Sequence, residues 1–182
     1  NSHSYKNKPV YATVQMWTKA TRVDPPVSWY DDVTKQWYTN YYRWQYFGIP
    51  VQFINASPVF DGSWVYEYDE TRNPDVYYGK WRPLTNSDML AAFKGYEITQ
   101  NGPKLITYQG LLVTGNQLLT LKKTTTGGTT NLYYGAGNNI FGNSFTAAID
   151  VSKIVFGSGV QHTVYLYNTG SLADWGLNGQ TM

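Results

Sequence analysis

The stretch Gly137-Asn-Asn-Ile-Phe-Gly-Asn-Ser-Phe-Thr-Ala-Ala-Ile-Asp150 decides how this chain is read, because it has an earlier counterpart in Trp44-Gln-Tyr-Phe-Gly-Ile-Pro-Val51. Each is a strand-like aromatic and aliphatic run ending in Phe-Gly, at Phe47-Gly48 and Phe141-Gly142. A second strand-like run follows each one, Ser63-Trp-Val-Tyr-Glu-Tyr-Asp69 and His162-Thr-Val-Tyr-Leu-Tyr-Asn168, and then a single tryptophan, Trp81 and Trp175. The pattern reads as one β-unit used twice, over about 44–98 and 137–182. The first copy continues to Phe93-Lys-Gly-Tyr-Glu-Ile98, whereas Met182 arrives before any counterpart of that strand. The expectation is a single sandwich domain over 9–182, short of its final strand or strands, behind a polar flexible segment 1–8.

The composition supports an all-β class. Aromatic residues make up 17% of the 182 residues, with 17 Tyr and 7 Trp, a content suited to pleated sheets whose rings carry polar tips. Charged residues are 14% and the net charge is +2, so no electrostatic footprint for nucleic acid or an anionic membrane stands out. There is no cysteine, which removes disulfides, thiolate nucleophiles and cysteine-bound zinc. No apolar run reaches the length of a membrane-spanning helix.

Alternation predicts strands at Val10–Trp17, Trp44–Val51, Ser63–Asp69, Val76–Arg82, Leu105–Gly110, Gln117–Lys123 and Val160–Tyr167, with a shorter strand signal at Leu132–Tyr134. Asp24-Pro-Pro26 breaks the pattern after the first of them, and Trp29 to Phe47 reads as a loop or hairpin. In Ser63–Asp69 the period of two places Trp64, Tyr66 and Tyr68 on one face and Val65, Glu67 and Asp69 on the other. Asn86–Phe93 is the best helix candidate, with Ser87 as cap and Gly95 beyond its end. Ala147–Phe156 mixes both signals. Strands at this spacing argue for an antiparallel β-sandwich or jelly-roll-like fold with at most one or two short helices.

These motifs resemble those of large secreted and cell-surface proteins of Bacteroidetes. The resemblance rests on Gly137-Asn-Asn-Ile-Phe-Gly-Asn143, Ala148-Ile-Asp150 and Val164-Tyr-Leu-Tyr-Asn168. Upstream it rests on Trp44 to Pro50, Trp64 to Glu70, Trp81, Gly95 to Ile98 and Tyr108 to Gly110. It covers roughly Trp44 to Met182. It implies an extracellular, adhesin-like β-sandwich module, exported by the type IX secretion system and not catalytic. Ser144-Phe145 departs from the family's Pro-aromatic pair, and the family's closing Gln-x-Phe-x-Val strand has no match after Gly179-Gln180.

The chemistry-bearing residues are few. Glu67, Asp69, Glu70 and Asp61 could supply the two carboxylates of a glycosidase, which must stand about 5 to 10 Å apart across a sugar. Glu70 points away from the face of Glu67 and Asp69, and carboxylates on an antiparallel sheet ordinarily face solvent. Asp31, Asp32 and Asp61 lack the ligand periodicity of a calcium loop. His3 and His162 are the only histidines and no nucleophile elbow accompanies them. Gly127-Gly128 lacks the lysine and helix of a phosphate loop, so no cofactor is expected.

The strongest binding signal is the aromatic tract, from which Trp29, Tyr30, Trp37, Tyr38 and Tyr41 are taken as candidate ligand contacts. Core packing is the competing reading, favoured for Trp44, Trp64 and Trp81. Three functions follow in order: a non-catalytic surface module for adhesion or assembly, a carbohydrate-binding module, and a glycoside hydrolase. The expected partners are the remainder of the same precursor or a strand from another chain filling the missing strand position, with a glycan or a host or bacterial surface protein beside them.

Overall fold

The computed structural model describes residues 9–19, 22–32, 35–72, 80–124 and 137–166. In chain order the strands are β1 (Tyr11–Thr18), β2 (Arg22–Asp31), β3 (Gln36–Tyr42), β4 (Gln45–Phe47), β5 (Phe53–Asn55), β6 (Ser63–Tyr68), β7 (Trp81–Pro83), β8 (Met89–Ala91), β9 (Tyr96–Gln100) and β10 (Lys104–Leu111). A helical turn at Ala56–Val59 and a 3-10 turn at Val151–Lys153 are the described helical elements. Every described ladder is antiparallel. The chain is therefore an all-β protein.

One layer is a four-stranded sheet in the order β4-β9-β6-β7. The other is built from the pairs β1-β10 and β5-β8. These pairs are stitched together where Gln52 N donates to Leu111 O at 2.8 Å and Ala92 N donates to Gln52 O at 2.8 Å. Between the layers lies a core of Phe47, Ile49, Val51, Phe60, Val65, Leu90, Tyr96, Ile98, Ile106 and Tyr108. Alternation sends these side chains inward, and removing them from water is the main drive for the two sheets to close. Two polar side chains cross the core and find partners there. Ala91 N donates to the Tyr96 hydroxyl at 2.8 Å, and Gln100 Nε2 donates to Thr18 Oγ1 at 2.9 Å.

The β2-β3 pair is an antiparallel ribbon, the hairpin of the two expected readings. Its strands pack chiefly on each other. Asp24-Pro-Pro26 does not end the strand; the register shifts between Arg22 and Val27, and a bulge takes up residues whose prolines cannot donate to a ladder.

The helix expected over Asn86–Phe93 does not form. Asp88 accepts from Thr85 N at 2.7 Å and from Thr85 Oγ1 at 2.8 Å, which closes a turn, and Met89–Ala91 then pairs with β5. Leu90 is fully buried by that pairing. An eight-residue helix is marginal on its own, so the tertiary contact wins. Phe93 follows with φ of 59°, a left-handed backbone that turns the chain toward Gly95.

Two predicted strands take part in no ladder. Gln117–Lys123 and the described part of Val160–Tyr167 lie outside every described ladder; the Lys122 backbone is held instead by the Asn139 side chain, and bends fall at Val160 and His162. Ala147–Phe156 resolves into the 3-10 turn, with Asp150 Oδ1 accepting from Ser152 N at 3.0 Å. Val76 to Gly79 of the predicted Val76–Arg82 strand, Leu132–Tyr134, His3, Trp175 and the 1–8 segment lie outside the described residues.

The deciding stretch, Gly137 to Phe145, is clasped along the first unit at four points. Gly137 N donates to Glu70 Oε1 at 2.8 Å; Gly95 N donates to Ile140 O at 3.0 Å; and Phe93 N donates to Ser144 Oγ at 2.8 Å. The fourth point is the meeting of the two Phe-Gly corners. A Cβ built on Gly48 would lie 2.6 Å from Gly142 Cα, so the backbones touch where only hydrogen side chains fit. The Phe93 and Phe145 rings, edge to face at 4.9 Å, close the end of the clasp.

Candidate functional site

The aromatic tract divides into two surfaces, because a period of two sends neighbours to opposite faces. On one face of the ribbon, Tyr30 stands directly opposite Trp37 with ring centroids 5.6 Å apart and tilted by 58°. Two residues further along each strand, the Ser28 and Thr39 hydroxyls share a hydrogen bond at 2.9 Å. Tyr41 comes next on β3. Trp37 is 71% exposed and Tyr41 48%, so these rings present surface to water instead of covering a core. Tyr38 is half-buried on the opposite face, and Trp29 pairs with it in the ladder. The five candidate contacts thus do not form one patch: Tyr30, Trp37 and Tyr41 share a face that Tyr38 does not. Sequence reasoning missed Ser28 and Thr39, although the alternation Trp37-x-Thr39-x-Tyr41 carried the signal.

The second surface lies on the outside of the four-stranded sheet. Trp44, Trp64 and Trp81 do not enter the hydrophobic core. They pack ring on ring above it, in the pairs Tyr42–Trp64 at 5.1 Å, Trp44–Tyr66 at 5.1 Å, Tyr46–Trp81 at 5.7 Å and Tyr68–Trp81 at 5.2 Å. The register explains what they roof. Tyr46 and Tyr66 flank Glu97 on the central strand β9, and Trp64 flanks Thr99. Glu97 is only 7% exposed, and that burial pushes its carboxyl up to about 8, against the opposing effect of the Tyr46 hydroxyl bonded to it. It is held as a neutral acid by a layer of rings. Sequence reasoning passed over Glu97 because its alternation with Tyr96 and Ile98 looks like that of any half-exposed strand.

The other carboxylates have structural partners. Glu67 and Glu70 are buried, which corrects the solvated-face expectation for both. Glu67 faces the core edge and is ion-paired to Arg82 at 3.0 Å and to Lys94, while Arg82 also holds Asp88 at 2.8 Å. The Thr85 bonds and Arg82 keep the Asp88 carboxyl at about 2. Glu70 accepts from Gly137 N at 2.8 Å, Thr124 N at 2.8 Å, Thr124 Oγ1 at 2.9 Å and the buried Lys80 ammonium at 3.3 Å. Burial raises the Glu70 carboxyl, but these four donors outweigh it and hold it below its usual range. Asp69 serves Thr71 in a local turn, and Asp61 is exposed. His162 stacks on Phe156 at 5.1 Å. A cleft of about 310 Å³ between Phe93, Val113 and Leu118 is lined without any carboxylate or histidine. Glu67 and Asp88 are brought near each other by Arg82, but its guanidinium bonds to both and occupies the space a sugar would need.

Alongside this geometry stand the likenesses to known proteins. No family model matches the chain. No solved structure matches it either. Over 150 residues the chain is 41% identical to the minor fimbrium subunit Mfa5 of Porphyromonas gingivalis, an alignment that takes in 76% of this chain and 11% of that protein. The chain therefore spans about a ninth of the length of the relative it matches, and its likeness is to one part of a Bacteroidetes surface-appendage protein.

Proposed function

We propose that this chain is a non-catalytic structural module of a Bacteroidetes cell-surface appendage, joined to its neighbours by strand addition. One observation carries the reading: two stretches with strand sequences, 117–123 and 160–166, lie outside every described ladder, with Leu118, Tyr165 and Leu166 at least four-fifths exposed. Unpaired backbone edges and bare apolar side chains are what a sheet offers to a strand from elsewhere. The likeness to a fimbrium subunit supplies a setting in which such joints would be made. The carboxylates that a hydrolase would need are engaged in fold contacts or exposed apart from one another, which favours assembly over turnover. Export by the type IX system belongs to this reading, and loss of that system in the native bacterium should keep the chain inside the outer membrane.

Amide hydrogen exchange tests the joint. Amides of 117–123 and 160–166 other than Lys122, Val160 and Thr163, which already donate within the chain, should exchange freely in the isolated chain and become protected in the assembled appendage. Equal exchange in the two states would remove strand addition as the mode of assembly.

A further inference from the structure

The outward face of the β2-β3 ribbon has a chemistry that strand addition does not use. Its side chains in order are Ser28 and Tyr30 on one strand, and Trp37, Thr39 and Tyr41 on the other. None of these five is charged, so an anion finds no opposite charge among them and a cation finds only ring faces. The face offers a ring pair, a bonded pair of hydroxyls, and then a ring. Successive outward positions on a strand are roughly 7 Å apart, so the span from Trp37 to Tyr41 is about 14 Å. Two strands of that length present on the order of 200 Å², well below the roughly 800 Å² per side that a stable protein interface takes.

We propose that this face binds a neutral oligosaccharide. Trp37, Tyr30 and Tyr41 stack on the apolar C–H faces of successive sugar rings, and Ser28 and Thr39 hydrogen-bond the sugar hydroxyls between them. Each hydroxyl in the Ser28–Thr39 pair keeps donor or acceptor capacity beyond its mutual bond at 2.9 Å. A ligand that is apolar on its faces and hydroxylated at its edges satisfies rings and hydroxyls together, whereas a proline-rich peptide brings carbonyl acceptors but no donor to the hydroxyl pair. The site is small and preformed on a ladder, so little ordering opposes binding.

The test uses the full 182-residue chain on an array of neutral glycans, followed by titration of the best ligand with tryptophan fluorescence as readout; a ten-residue polyproline peptide and a heparin hexasaccharide serve as comparison probes. The expected result is saturable binding of a neutral glycan, weakened roughly tenfold or more in Trp37→Ala and severalfold in Thr39→Val. Thermal melting of both variants should match the parent, since both side chains are exposed. Absence of neutral-glycan binding across the array overturns the proposal. So does binding that survives Trp37→Ala, or binding of polyproline or heparin alone. None of these results bears on hydrogen exchange at 117–123 and 160–166, so the two readings fail separately.

Discussion

Replacing Glu70 by Ala should undo the clasp from its centre. The carboxylate gathers two backbone N–H groups, one hydroxyl and the Lys80 ammonium, and Lys80 is as buried as its partner, with side-chain exposures of 5% and 2%. Removing the acid strands a buried cation and two amides at once. Breaking a buried pair from one side costs about 3–5 kcal/mol. Because Thr124 and Gly137 both depend on this side chain, the loss should appear first as local opening of 122–124 and 137–140 and then as a lower urea midpoint. Glu70→Gln, which keeps an acceptor, should cost less, and adding Lys80→Met to Glu70→Ala should recover part of the loss. The pH response follows from the depressed carboxyl. In the unfolded chain Glu70 takes up its proton at a higher pH than in the folded one, so its contribution is full above the unfolded value and disappears as pH falls through the folded one. Hydrogen exchange and urea melts followed by tryptophan fluorescence measure both. A Glu70→Ala variant that loses less than about 1 kcal/mol, with Gly137 still protected, would refute the reasoning.

Gly142→Ala should destabilise by about 1–3 kcal/mol in a thermal melt, since its Cβ would meet Gly48 Cα at 2.4 Å, whereas Gly102→Ala, with open space around it, should be near neutral. Glu97→Gln should stabilise the fold at neutral and alkaline pH. The folded carboxyl titrates near 8 and an ordinary glutamate at 4.5, so the folded state holds the extra proton between them. Wild-type stability therefore falls as pH rises across that window, and the variant's gain in urea melts should grow to roughly a few kcal/mol by pH 8 and then level off. Asp88→Ala should cost about 1–2 kcal/mol by freeing Thr85 N and loosening Arg82. The wild type should lose that same contribution as pH falls from about 4 to about 2, visible as an acid-side drop in melting temperature that the variant lacks.

The all-β class and most first-half strands were legible because their period-two alternation coincides with real burial, as in Ser63–Tyr68, where Val65 and Glu67 turn inward. Asn86–Phe93 was not, because local capping residues served a turn and the buried Leu90 settled the outcome from across the sheet. The aromatic tract was visible as composition, but its division into an exposed ribbon face and a roof over Glu97 depends on the register of β2 with β3 and of β9 with its neighbours. Gly48 and Gly142 were picked out as matching corners; that they would touch lay beyond any local pattern, since contact between residues so far apart in sequence is a property of packing. Glu67 and Glu70 were misplaced for a related reason. A carboxylate's burial depends on which cations and amides the fold brings to it.

The clasp has a mechanical meaning as well. Among the described residues, a pull on the chain beyond Phe145 meets Phe93, Gly48, Gly95 and Glu70 in turn. The nearest bond to the pull is the Ser144 hydroxyl and the furthest is the buried Glu70 carboxylate. The stretch comes free of the sandwich only after each of these contacts has let go, with the strongest of them last.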